Sequence, residues 1–185
     1  MKKQHKIAFY LLFLLLLVVL RSEIFGLLFT YKSVGERSLY EIKHPSLLAK
    51  IEGKENVLVS PDGEQVADLA LRMSSETLYF GSENCSNDPN TLGSSHKAHC
   101  VGYAVFHASV CNALLKKYKL DTVWQAQAHI GKIYFLGYNL HTLFSSPFLK
   151  DHDFVLLLNK KTGKTFALDP SLADYLGVKR VSFVD

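Results

Sequence analysis

One helical pattern in this chain starts on a cysteine. From Cys100 the apolar residues Tyr103, Ala104, Ala108, Cys111, Leu114, Leu115 and Tyr118 recur at the spacing of a single buried helix stripe. Asn112, Lys116, Lys117 and Lys119 take the opposite side, and the lysines complement the dipole at the C-terminal end. The pattern predicts a helix with Cys100 in its first turn. A helix N-terminus offers unpaired N–H groups and partial positive charge, which stabilise a thiolate and later an oxyanion. A buried structural thiol is the competing reading, and Cys111, on the same stripe, reads as such a core residue. Gly102 favours the reactive reading a little. Glycine in a first turn costs helix stability and is best explained where something approaches the backbone closely.

Charge and cysteine count exclude several classes. The net charge of +4 is accounted for by Lys2, Lys3, Lys6 and Arg21. Beyond Arg21, basic residues equal the 17 Asp and Glu in number, so the remainder is neutral and carries no nucleic-acid footprint. Three cysteines, Cys85, Cys100 and Cys111, are too few for a disulfide scaffold, and no C-x-x-C pair suggests zinc. There is no Asp-rich loop of the kind a calcium site needs. No metal and no cofactor is expected.

The N-terminus is basic and then apolar from Ile7 to Leu20. That run has the length of a signal-peptide core and is short for a full span of about 20 residues. A core helix, a cleaved signal and an uncleaved signal-anchor compete. The anchor is preferred, with Arg21 and Glu23 snorkelling so that the span reaches Phe29. The positive-inside rule keeps the leading lysines in the cytoplasm. The rest of the chain is then a single-pass protein's domain outside the cytoplasm, or a secreted one if the segment is cleaved.

Residues 30–59 read as a lead-in, with a short strand at Asn56–Val59. Ser60-Pro61 reads as a helix start, and Val66, Leu69, Ala70 and Met73 continue it through about Ser74. Gly81 to Ser95 is rich in turn residues and reads as a surface loop before Cys100, with an Asn84-Cys85-Ser86 glycosylation pattern. Thr122–Gly131 and Ile133–Leu140 read as two strands, and His152–Leu158 as a strongly apolar one. A turn at Asn159–Lys164 returns the chain as Thr165–Asp169, which Pro170 stops.

The hairpin singles out two residues. A turn centred near Lys161 brings His152 and Asp169 within a step or two of each other across an antiparallel pair. A His beside an Asp is the base-and-orienter pair that an activated cysteine needs. Eight histidines compete for the base, and only His152 has this relation to a carboxylate.

Together these residues resemble the transglutaminase-like branch of the papain-like cysteine enzymes. The matching pieces are Cys100-Val101-Gly102-Tyr103-Ala104 at a helix start, His152 before an apolar strand, and Leu168-Asp169-Pro170. The likeness runs over about residues 60–170. It departs from the family where His-Ala-Trp is common and here stands His152-Asp153-Phe154, with Asp153 placed to perturb the base or to face solvent. The resemblance implies an α+β fold, with the nucleophile helix packed on an antiparallel sheet, over a domain spanning 60–185 that follows the membrane or signal segment 1–29. It implies Cys100 as nucleophile, His152 as general base and acid, and Asp169 as orienter. The Cys100 N–H would be one oxyanion donor, with a second from the preceding segment. The expected activity is thiol acyl transfer with hydrolysis of a peptide, protein or cell-wall-type amide. A non-catalytic binding or scaffold module on the same fold is the alternative.

Overall fold

The computed structural model describes residues 2–54, 57–81, 85–146 and 149–184. It is a mixed α+β fold built on one sheet. In chain order, α1 (Lys2–Val19) and α2 (Arg21–Leu28) lead into β1 (Phe29–Glu36). Next come α3 (Pro45–Glu52), α4 (Gly63–Thr77), β2 (Tyr79–Phe80), α5 (Pro89–Ser95), β3 (Lys97–Ala98) and α6 (Cys100–Lys117). The C-terminal part is β4 (Trp124–Phe135), β5 (Tyr138–Asn139), a 3-10 turn (Leu140–Leu143), β6 (His152–Asn159), β7 (Thr165–Leu168), α7 (Pro170–Leu176) and β8 (Arg180–Val184).

The strand order is β1-β8-β7-β6-β4-β5, and β1 also pairs with β4, so the sheet curls back on itself. All pairings in it are antiparallel except β1 with β8. Helices α4 and α6 lie against one face. Their core includes Leu69, Met73, Tyr103, Phe106, Leu114 and, from the strands, Ala126, Ala128, Val155, Leu157 and Leu168. A smaller cluster of Tyr31, Phe154, Ala167, Val178 and Val181 fills the other face, with Phe25 of α2 packed on it. Strand alternation explains the division: Val155 and Leu157 face α6, whereas Phe154 and Ala167 face the small cluster.

Several sequence expectations are corrected. Residues 29–36, read as part of the anchor and lead-in, form β1, a strand whose Tyr31 is fully buried. The stretch Val57–Val59 is turn and bend rather than strand, and Asn56 lies outside the described residues. Helix α4 starts at Gly63, because Asp62 and Gln65 make a reciprocal capping box, while Ser60 adopts φ 46°. The turn-rich segment holds α5, capped by Asp88 with Pro89 at its first turn; Asn84 of the glycosylation pattern lies outside the described residues. Helix α6 buries more than a stripe: Val105, Phe106, His107, Ser109 and Val110 are enclosed too, because α3, α4, α5 and α7 pack around it on the sides that the sheet leaves open. The two strands expected between Thr122 and Leu140 are one twelve-residue strand, β4, plus the short β5.

The N-terminal segment is also not a straight rod. Among the described residues no single helix is long and apolar enough to cross a membrane; Phe9–Val19 and Arg21–Leu28 together meet the requirement but are bent by 67°. The Arg21 guanidinium donates to the carbonyls of Leu176 and Val18, both at 2.7 Å. Ser182 Oγ donates to Gly26 O at 2.6 Å, fastening α2 to β8. By contrast, the large apolar side chains from Phe9 to Val19 on α1 stand exposed.

Candidate active site

Three elements converge on Cys100. It is the first residue of α6, and its neighbour His99 is the N-cap. His152 opens β6, and Asp169 follows directly on β7. The β6–β7 register pairs Val155 with Leu168 and Leu158 with Thr165, so the open end of the hairpin carries His152 and Asp169. His152 shares its face with Phe154, and Asp169 shares its face with Ala167, so the two side chains meet on one side of the sheet.

His152 Nε2 stands 2.6 Å from Asp169 Oδ2. The thiol of Cys100 adjoins the same ring: the two residues line one cavity, and Cys100 contributes to the electrostatics of His152. With Nε2 committed to the carboxylate, Nδ1 is the nitrogen left to face sulfur. His152 is 19% exposed and Asp169 is fully buried. Burial works against a charged imidazole, yet the Asp169 charge and hydrogen bond, with a lesser contribution from Cys100, hold the His152 pKa well above its ordinary value. Burial likewise works to raise the Asp169 carboxyl, but the His152 charge and donated hydrogen bonds outweigh it and keep the pKa below the usual range.

Asp169 is clamped by more than His152. It is the N-cap of α7: Oδ1 accepts from Ser171 N, Ser171 Oγ and Leu172 N, at 3.1, 2.7 and 3.0 Å. Oδ2 also accepts from the Tyr31 hydroxyl at 2.8 Å. In the sequence Pro170 reads as a strand stop and as the end of the Leu168-Asp169-Pro170 motif. The Asp-Pro pair was equally a signal for an N-cap followed by a proline in the first helical turn. Tyr31 had no local signal at all, being far away in sequence. Nor did Gly131, which pairs with His152 across β4 and β6. A Cβ there would lie 2.7 Å from the Phe154 ring and 2.8 Å from the His152 carbonyl.

Asp153 neither faces solvent nor flanks the His152 ring. Alternation turns it to the opposite face of β6, where it is fully buried against Arg37, with Nε to Oδ2 at 2.7 Å and Nη2 to Oδ1 at 3.1 Å. Burial raises its pKa, against the pull of the guanidinium. Gly102 is explained by packing. A Cβ there would meet Ala98 Cβ at 3.0 Å and Leu92 Cδ1 at 3.3 Å, so the glycine lets α5 and β3 approach α6.

His44, His96, His107 and His129 are engaged away from Cys100. His44 contacts Ser46 and Ser94, His96 contacts the Thr77 carbonyl, and His129 contacts Ser33. His107 is enclosed between α6 and α4, and burial pushes its pKa down to about 4. Cys100 and Cys111 are free thiols. Cys111 is fully buried, which raises its pKa to about 12 and makes it inert.

Cys100 and His152 line a cavity of about 260 Å³, walled largely by Phe80, Ile133, Leu140, Phe144 and Leu149. A larger cavity of about 480 Å³ lies by α3 and the far end of α6, lined by Tyr40, Leu48, Ile51 and Lys116 among others. It holds no nucleophile or base pair, so size does not locate the chemistry here. Among the described residues no cluster of three or more His, Cys, Asp or Glu is placed to hold a metal ion.

Compared with protein families, with curated proteins and with solved structures, the chain matched none. What the site can do therefore rests on its geometry. A thiol at a helix N-terminus, a histidine on that thiol and a buried carboxylate on the histidine can together deprotonate sulfur, attack a carbonyl and return the proton.

Proposed function

We propose that the protein is a transglutaminase-like cysteine enzyme of papain-like fold, held at a membrane by its N-terminal segment. It would transfer an acyl group to Cys100 and pass it to water, hydrolysing a peptide or amide bond. One observation carries the reading: Asp169 Oδ2 stands 2.6 Å from His152 Nε2, and Cys100, first residue of α6, lines one cavity with that ring.

In the proposed reaction His152 Nδ1 takes the thiol proton as sulfur attacks the carbonyl carbon. The oxyanion forms at the N-terminus of α6, within reach of the Cys100 N–H. His152 then gives its proton to the leaving nitrogen, the C–N bond breaks, and a thioester remains on Cys100. Water enters, loses a proton to His152 and attacks the thioester; sulfur leaves and recovers the proton. Throughout, Asp169 holds the ring orientation and offsets the imidazolium charge. Peptide, protein or cell-wall-type amides are the substrate class that this chemistry serves. Hydrolysis is preferred over cross-linking because nothing in the chain points to a site for an acceptor amine.

The membrane reading rests on α1. Its exposed side chains from Phe9 to Val19 are apolar on every side, and three lysines precede them. The fused helix α2 would hold the domain close to that surface, outside the cytoplasm.

The test is the rate of Cys100 alkylation by iodoacetamide across pH, read by mass spectrometry of the tryptic peptide. The expected result is labelling at neutral pH at least about tenfold faster than for a free thiol, and slowed by His152→Ala. Labelling at the rate of a free thiol, unchanged by His152→Ala, overturns the enzyme reading in favour of a binding module.

A further inference from the structure

The cavity beside Cys100 contains one polar group that the proposed reaction leaves idle. His141, in the 3-10 turn, is 9% exposed and lines the cavity with Cys100 and His152. Its Nδ1 lies 2.8 Å from the Leu149 carbonyl. A carbonyl only accepts, so Nδ1 carries the proton and Nε2 of the neutral ring presents a lone pair. That Nε2 is shielded from solvent and has no hydrogen-bond partner among the described residues. A buried acceptor without a donor is costly and calls for an explanation.

The walls describe what is to bring the donor. Phe80, Ile133, Leu140, Phe144 and Leu149 are apolar, and the volume of about 260 Å³ falls below the roughly 300–1,000 Å³ of pockets for drug-sized ligands. It suits one large side chain. Asp151 also lines the cavity, and it is the feature that would instead favour a basic group.

We infer that this cavity is a specificity pocket for an apolar substrate side chain ending in a neutral hydrogen-bond donor, which His141 Nε2 accepts. Tyrosine and tryptophan are the peptide residues of that description, with an aromatic body and a single O–H or N–H at the tip. The inference rests on the reading of Cys100 as nucleophile. His141 reads the substrate; it moves no proton in the reaction.

The experiment uses the full chain and peptidyl vinyl sulfones that differ in one side chain, varied in turn at the two positions nearest the warhead. Second-order labelling of Cys100 is compared for Tyr, Trp, Phe, Leu, Asp and Lys, with iodoacetamide as a probe that carries no side chain. At one position the tyrosine probe is expected to label about tenfold faster than phenylalanine, its counterpart lacking the donor. His141→Leu is expected to abolish that ratio, and His141→Gln, which keeps an acceptor, to restore part of it. Each peptide-probe rate is divided by the iodoacetamide rate of the same variant, so that any change in the thiol's own reactivity cancels from the comparison. A Tyr-to-Phe ratio of one in the wild type overturns the inference, as does a ratio unmoved in His141→Leu. A lysine probe outrunning tyrosine overturns it in favour of Asp151. Slow labelling of the wild type by iodoacetamide as well removes the reading of Cys100 itself, and the pocket's role with it.

Discussion

The Tyr31 hydroxyl donates to Asp169 Oδ2 at 2.8 Å, the same oxygen that faces His152 Nε2 at 2.6 Å. Tyr31 comes from β1, 138 residues earlier in the chain, and its ring also meets the His152 ring edge-on at 5.9 Å between centroids. Burial, and then the Asp169 charge, push the Tyr31 hydroxyl far above its ordinary pKa, so it stays a donor at any working pH. The buried Asp169 carboxylate is thereby held from both sides.

Tyr31→Phe keeps the ring and removes that donor. The expected outcome is a loss of about 1–2 kcal/mol in urea unfolding, with Cys100 alkylation slowed about three- to tenfold as the Asp169 carboxylate and the His152 ring gain freedom. Unchanged alkylation in a destabilised protein would limit Tyr31 to a structural role.

His152 gives the stability profile a distinctive alkaline limb. Its folded pKa is raised, so its contribution is complete below the unfolded value near 6.5 and is lost as pH rises through the folded value. Asp169, lowered, contributes above its unfolded value near 3.8 and loses that as pH falls through the folded one. The pair is therefore most stabilising between about pH 4 and 6.5. Urea midpoints are expected to fall on going from pH 6.5 to 9 in the wild type, and to change less in His152→Gln.

The acid limb belongs in large part to His107. Burial depresses its pKa from 6.5 to about 4, with the Ala70 backbone pulling the other way. The folded state loses stability as pH falls through 6.5, by roughly 3 kcal/mol in total once pH 4 is passed. Burial lowers His99 and His129 as well, so they act in the same direction. In His107→Met the unfolding free energy is expected to fall less steeply from pH 6.5 to 4.5 than in the wild type.

Arg37 is held by an ion pair on the far side of β6 from His152. Removing its side chain strands the fully buried Asp153 carboxylate. Arg37→Ala is expected to cost about 3 kcal/mol at neutral pH, with part recovered in the Arg37→Ala, Asp153→Asn double variant. Urea unfolding of the two proteins side by side checks this.

The two N-terminal helices are expected to differ under truncation. A chain starting at Leu20 retains Arg21, Phe25 and Gly26, and should keep the wild-type unfolding midpoint while losing the exposed apolar helix. A chain starting at Thr30 loses the contacts of Arg21 with Leu176 and of Gly26 with Ser182. It should be at least about 2 kcal/mol less stable. Equal stability of the two would show that α2 contributes nothing to the domain.

The local part of the site was legible because local rules make it. Periodicity marked α6 and placed Cys100 in its first turn, and hairpin register alone brought His152 towards Asp169, since strand pairing across a short turn leaves little freedom. Turn residues misled where side-chain caps decide the matter, as at Asp62 and Asp88. The residues 30–59 misled because β1 makes its pairings with β4 and β8, roughly a hundred residues and more downstream, and no nearby residue signals them.

By itself the sequence determined the two elements that present the candidate residues, Cys100 on a helix start and His152 with Asp169 on a hairpin. Only the tertiary structure decided how α6 and that hairpin meet. The curled sheet brings Tyr31 to Asp169, turns Asp153 away to Arg37 and encloses His141 beside the thiol. Those contacts join residues distant along the chain, and they depend on packing across the sheet rather than on any local periodicity.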